Sequence, residues 1–348
     1  MTRAVRTSLV ALLVLLLAGA AGWAVRPLSP PATPPLTAAL STLPQGSTIV
    51  GFTNWRQLSG GPVSFGDLGD RDLASRSDLY GSSAAMDDLL GWSVADLEWE
   101  VLAQGGNAGA GVLVAQLDAS TSPAAVEEGL ADAGFTAADT TDGPRAWENG
   151  PTELGAAGLS TVMQHVRVLG RERLVVMSES GPGASAVVDV VRGGATAVTR
   201  DRALLDVAGS LAGADAVLLE RRGQGCGPTS MTDEESQQQA EVALGSANAL
   251  EEYVASGRGL LARTGGGTDA QDLTFAMRFA DPTTARGQRD VRESVATGPF
   301  IGRTGTIEQT LRLESATTDG AVLSLRFGHD PESGIFMTGF GPLLFATC

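Results

Sequence analysis

The chain has 348 residues, 43% of them hydrophobic, with 24 cationic residues against 40 acidic ones, a net charge of −16. That sign is wrong for nucleic-acid phosphates or an anionic membrane surface, while the hydrophobic content suits a globular chain with a substantial core. Every cationic residue is arginine, which excludes Schiff-base chemistry, a Ser-x-x-Lys acyl-enzyme and a P-loop, since each needs lysine.

Arg3 and Arg6 precede an uncharged apolar run from Leu9 to Val25, Arg26 closes it, and no acidic residue appears before Asp67. An apolar stretch behind a cationic start reads as a bacterial export signal. Two fates are open to it. Ala18-Gly19-Ala20 offers a small-residue cleavage site, which would release a secreted protein cut near Ala20. Alternatively the 17-residue run continues through Trp23 as a single membrane-spanning helix. Five of the ten residues from Arg26 to Pro35 are proline, a stiff extended spacer that favours a tether. The expected organisation is a signal peptide or transmembrane anchor over 1–26, a Pro-rich linker over 27–45, and an extracytoplasmic remainder that meets the membrane only through the N-terminal segment.

Along that remainder, strands are expected over 48–54, 97–104, 110–118, 162–169, 173–178, 215–221, 258–264, 272–280 and 321–327. The clearest show period-2 alternation: Leu97, Trp99 and Val101 against Glu98 and Glu100; Leu273, Phe275, Met277 and Phe279 against Thr274, Ala276 and Arg278; Leu323, Leu325 and Phe327 against Ser324 and Arg326. Each reads as a half-buried strand with one wet face. Helices are expected over 83–90, 123–133, 183–192, 201–211, 232–255 and 282–297. Ser122-Pro123 and Asp281-Pro282 each place a capping side chain before proline at the first helical position. Thr232-Asp233-Glu234-Glu235 reads as a capping box. The Gly-rich tract 60–81 reads as a loop.

In order, both halves run β-α-β-β-α-β. The expected fold is α+β: two tandem ferredoxin-like modules, 46–214 and 215–348, with mainly antiparallel sheets carrying helices on one face. The N-terminal apolar helix precedes them.

Chemistry-bearing residues are few. Cys226 and Cys348 are the only cysteines, and in an oxidising compartment an even pair is expected to form a disulfide. His165 falls at a solvent-facing strand position. His329, in Gly328-His329-Asp330-Pro331-Glu332-Ser333, is the one candidate for acid–base work, with a nearby carboxylate. Gly181-Pro182-Gly183-Ala184-Ser185-Ala186 mimics a dinucleotide fingerprint, but Pro182 removes a phosphate-cradling N–H, so a strand-to-helix turn is expected. Asp67, Asp70, Asp72 and Asp78 do not follow the EF-hand order. No catalytic, cofactor or metal residue is assigned.

The stretch RERLVVMSESGPGASAVVDVVRGG, followed by RDRALLDVAGSLAGADAVLLE, resembles a segment of exported, membrane-anchored proteins of uncharacterised function from high-GC Gram-positive bacteria. The spacer and the ending Gly341 to Cys348 resemble them too. The resemblance implies an envelope location and tandem modules of the expected type, and it carries no catalytic residue. The resulting functional expectation is a non-enzymatic binding or structural protein of the cell envelope, its partner an envelope component or another protein. An envelope hydrolase using His329 and an extracytoplasmic sensor domain are the alternatives.

Overall fold

A computed structural model describes residues 33–105, 111–138, 143–221, 234–245, 250–263, 271–301, 305–330, 336–337 and 343–347. Residues 1–26, expected to form an export signal or anchor, and Cys226 and Cys348, expected to form a disulfide, lie outside the described residues. Among those described, no helix is long and apolar enough to cross a membrane.

The alternating segments form strands where their periodicity places them. They are β1 (Ile49–Thr53), β2 (Leu97–Gln104), β3 (Val112–Leu117), β4 (Thr136–Ala138), β5 (Ala146–Glu148), β6 (His165–Leu169), β7 (Leu174–Ser178), β8 (Ala216–Arg221), β9 (Ala255–Ala262), β10 (Gln271–Arg278), β11 (Leu311–Asp319) and β12 (Val322–His329). All join one sheet in the order β11-β12-β10-β9-β8-β1-β2-β3-β7-β6-β5-β4. Every pairing is antiparallel. The helices are α1 (Pro35–Leu40), α2 (Trp55–Ser59), α3 (Ser83–Leu90), α4 (Pro123–Asp132), α5 (Pro151–Ala156), α6 (Gly181–Val191), α7 (Arg202–Ser210), α8 (Glu234–Leu244) and α9 (Pro282–Val295). The protein is therefore α+β with an antiparallel sheet.

The expected module type is corrected by this strand order. A split β-α-β unit inserts the hairpin's second strand between the two strands that the helix connects. Here β1 pairs directly with β2, and β8 with β9. The halves do repeat, as β1-β2-β3-β7-β6 and β8-β9-β10-β12-β11, but as meanders with a terminal swap. They share a seam, where Ile49 to Thr53 of β1 pair with Glu220 to Ala216 of β8. The boundary at 214/215 thus falls inside a continuous sheet, and Pro34–Cys348 forms one compact unit.

Helices cover both faces of the sheet rather than one. One apolar cluster joins the α2–α5 side of the sheet, α8, α9 and residues 343–346 to inward residues such as Leu113, Leu218, Phe275 and Leu325. The other packs Leu36 and Leu40 of α1, Ala184 and Val187 of α6, and Leu204 and Val207 of α7 onto Val50, Phe52, Val114, Val176 and Val217. Helix α1 lies in the segment expected to be linker: Pro35 starts it, and buried Leu36, Ala39 and Leu40 tie it to the sheet. The coverage is asymmetric. Helix α6 follows β7 and seals the outer face of the first half. After β12 the described chain, Phe336–Met337 and Leu343–Thr347, belongs to the opposite face. Helix α7 packs on β9, β10 and β12 on the outer face of the second half, burying Ala276 and Val322; among the described residues Ser315, Thr317, Asp319 and Arg326 lie exposed.

Two boundaries differ for local reasons. Helix α8 ends at Leu244, not near 255, because Gly245 adopts a left-handed φ of 68°. Asp281 caps α9 through the Thr283 and Thr284 N–H groups, whereas Ser122 makes no side-chain cap to α4.

Candidate functional site

The Gly-rich tract is not a solvated loop throughout. Leu68, Leu73, Ala74 and Leu79 are buried, so it lies over the β1–β8 seam as a plug with polar fastenings. Glu100 of β2 accepts hydrogen bonds from Trp55 Nε1 at 2.9 Å and the Asp78 N–H at 3.1 Å. It is completely buried, and loss of solvation pushes its carboxyl up to about 7. Its sequence position on an apparently wet face is thereby corrected: the plug covers that face. Asp72, with a φ of 61°, accepts from the Phe336 and Met337 N–H groups, both at 2.8 Å. Arg258 donates to the Phe336 carbonyl at 2.7 Å, and Arg76 to that of Met337 at 3.3 Å. Gln271 Nε2 donates to the Arg71 carbonyl at 2.9 Å. These charges are spent on fastening chain segments together.

His329 is the final residue of β12, not part of a free turn. It is 3% exposed and meets Phe336 edge-on, ring centroids 5.0 Å apart. A base that activates water needs access to water, and this ring has little. His165 opens β6, half-buried, with Nδ1 3.3 Å from Glu148 Oε1. The Gly181–Ala186 segment is a strand-to-helix turn: the Ser180 hydroxyl accepts from the Gly183 N–H at 3.1 Å, and β7 lies between antiparallel neighbours. The loop carboxylates are dispersed. Asp67 accepts from the Ser64 hydroxyl, Asp78 from that of Ser160, and Asp72 serves the plug. Among the described residues no cluster of three potential ligands could hold a metal.

The C-terminal turn is held by a buried arginine. Arg292 of α9 donates to the carbonyls of Phe345 at 2.7 Å, Thr347 at 2.8 Å and Glu251 at 2.8 Å. It lies over the Tyr253 and Phe279 rings. Burial lowers its pKa to about 10, still a cation at neutral pH. With residues 343–347 fixed, a cavity of about 580 Å³ opens between α8, the end of α9 and this turn. Its walls include Val242, Ala243, Val295, Pro299, Phe300 and Leu344. Val242 is 83% exposed at the rim. This volume lies within the range of small-molecule sites, which are concave and mostly apolar. Sequence reading missed it because three distant segments supply the walls; the apolar run Pro299-Phe300-Ile301 just past α9 was its one local trace.

The class so defined is an α+β protein built on one antiparallel sheet, with an apolar cavity under its C-terminal turn. No family model matches the chain, and no curated protein matches it. Among solved structures, crystal form IV of TP0453 aligns with a TM-score of 0.45 and 10% identity, over 86% of this chain and 97% of that one. Form III gives 0.43 and 11%, over 85% and 95%. Form I gives 0.42 and 11%, over 85% and 94%. Likeness at this level carries no functional argument.

Proposed function

We propose that the chain is an extracytoplasmic, membrane-tethered binding protein of the bacterial cell envelope, and that the cavity beside α8 and α9 takes a small apolar ligand. The observation that carries the binding role is the cavity itself, with a polar rim at Gln238, Gln239 and Ser294 to orient a ligand's head. The export segment supports the location, and the Pro-rich spacer supports the tether. An envelope hydrolase is not favoured, because its only imidazole candidate is buried against Phe336.

The test uses N-phenyl-1-naphthylamine, which fluoresces on entering apolar sites. The protein should bind it saturably. Ala243→Trp, which fills the cavity, should weaken binding at least about tenfold, a change worth about 1.4 kcal/mol. No saturable signal, or unchanged binding by the filled variant, would overturn the proposal.

A further inference from the structure

The apolar cavity beside α8 has a lining without charge. Helix α8 supplies Gln238 and Gln239 to its polar part, and the end of α9 with the segment after it supplies Ser294 and Thr297. Among the described residues that line it there is no arginine, aspartate, glutamate or histidine. Arg292 of α9 is buried and committed to the carbonyls of Phe345, Thr347 and Glu251, so it cannot meet an anion at the rim. The charged residues next in sequence to the lining, Glu241 beside Val242 and Glu293 beside Ser294, are acidic and exposed. The whole chain carries a net charge of −16. An anionic head would therefore enter without a cation to pair with and against the field of the protein. A cationic head fares little better: neither glutamate lines the cavity, and attraction to exposed carboxylates across solvent is screened and weak.

What the rim does offer is amides and hydroxyls, and each of these groups both donates and accepts hydrogen bonds. A carboxylate accepts only, which leaves the glutamine carbonyl oxygens facing its charge. A quaternary ammonium does neither. A head that donates and accepts without charge satisfies the rim, while an apolar tail covers Val242, Val295 and Leu344.

We infer that the cavity selects an uncharged amphiphile, an apolar tail ending in an amide or alcohol head, and that Gln238 and Gln239 read this head. The inference rests on the small-ligand reading of the cavity proposed above and adds the chemical class of the ligand.

The test is displacement of N-phenyl-1-naphthylamine near pH 8 in about 0.15 M salt by three ligands with the same tail length: octanamide, octanoate and octyltrimethylammonium. Octanamide should act at a concentration at least about tenfold lower than either ion. Its greater hydrophobicity could give the same order in any apolar site, so the rim itself is varied. Gln238→Leu/Gln239→Leu, two changes at exposed positions, should reduce the preference to about threefold or less and leave naphthylamine binding and the melting temperature unchanged. Ser294→Arg, which adds a cation at the exposed rim, should tighten octanoate at least about tenfold. Naphthylamine binding with no preference among the three ligands would overturn the inference and leave the cavity reading standing. A preference that the double glutamine variant keeps, or octanoate binding indifferent to Ser294→Arg, would also overturn it. Absence of saturable naphthylamine binding would overturn both.

Discussion

Glu100 is buried among donors that suit a carboxylate, yet burial outweighs them, and its carboxyl titrates at about 7 rather than in the usual range. Between roughly pH 4.5 and 7 the folded protein therefore keeps a proton that the unfolded chain has released. Stability from this group is full below that window and is lost as pH rises through it. Asp215, raised to about 6 by burial, acts in the same direction over a lower window. Glu100→Gln keeps the site neutral. Thermal melts across pH 4.5–8.5 should show the variant close to wild type at pH 5 and more stable at pH 8, by about 1–3 kcal/mol. An unaltered slope would show that Glu100 is not the titrating group. Glutamates 98 and 100 look equivalent in sequence, both facing away from Trp99 in the alternation. A β-bulge between Leu97 and Trp99, the Trp55 indole and the plug of residues 60–81 distinguish them: Glu100 is covered, and Glu98 pairs with exposed Arg56.

At the element scale, helix–helix approach decides what a glycine does. In α4, a Cβ added at Gly129 would stand 1.9 Å from the Leu90 carbonyl oxygen at the end of α3. In α9, a Cβ at Gly287 meets nothing within 4 Å. Alanine is the better helix former by about 1 kcal/mol, so the two substitutions should have opposite signs. Gly287→Ala should stabilise by up to about 1 kcal/mol. Gly129→Ala should destabilise by about 1–3 kcal/mol, because the backbone must separate. Urea midpoints measure both, and stabilisation by Gly129→Ala would contradict the close packing of α3 on α4. Helix α1 was illegible for a related reason: the prolines that suggested a spacer include Pro35, which in the fold occupies the first position of a helix.

At the scale of the molecule, the seam between β1 and β8 makes one folding unit of two repeated halves. The plug reinforces it, since Asp72 and Arg76 from the first half hold Phe336 and Met337 from the second. Residues 34–348 should therefore melt in a single transition, with calorimetric and van't Hoff enthalpies equal. Residues 34–214 alone would expose the β1 edge and strip the plug of its partners; they should not unfold cooperatively. A separate, cooperative melt of that half at the temperature of the whole would restore the reading of independent modules.

Most strands and helices were legible locally, because side-chain period reports which residues share a face. Of the faces expected to be wet, Arg326 is exposed and Thr274 and Ser324 are half-buried, while Ala276, on the same face as Thr274, is sealed in the core beside α7. By itself the sequence determined the element types, the acidic charge, the absence of lysine chemistry and the repeat of two halves. Period says nothing of which strand lies beside which. That choice depends on pairings between residues far apart in the chain, and it placed β2 next to β1 and β9 next to β8 instead of interleaving them. Tertiary structure alone decided that Ala276 of the second half is buried beside α7 while Arg326 on that face is exposed, that an acidic residue of β2 is sealed beneath a glycine-rich plug, and that three distant segments line an apolar cavity.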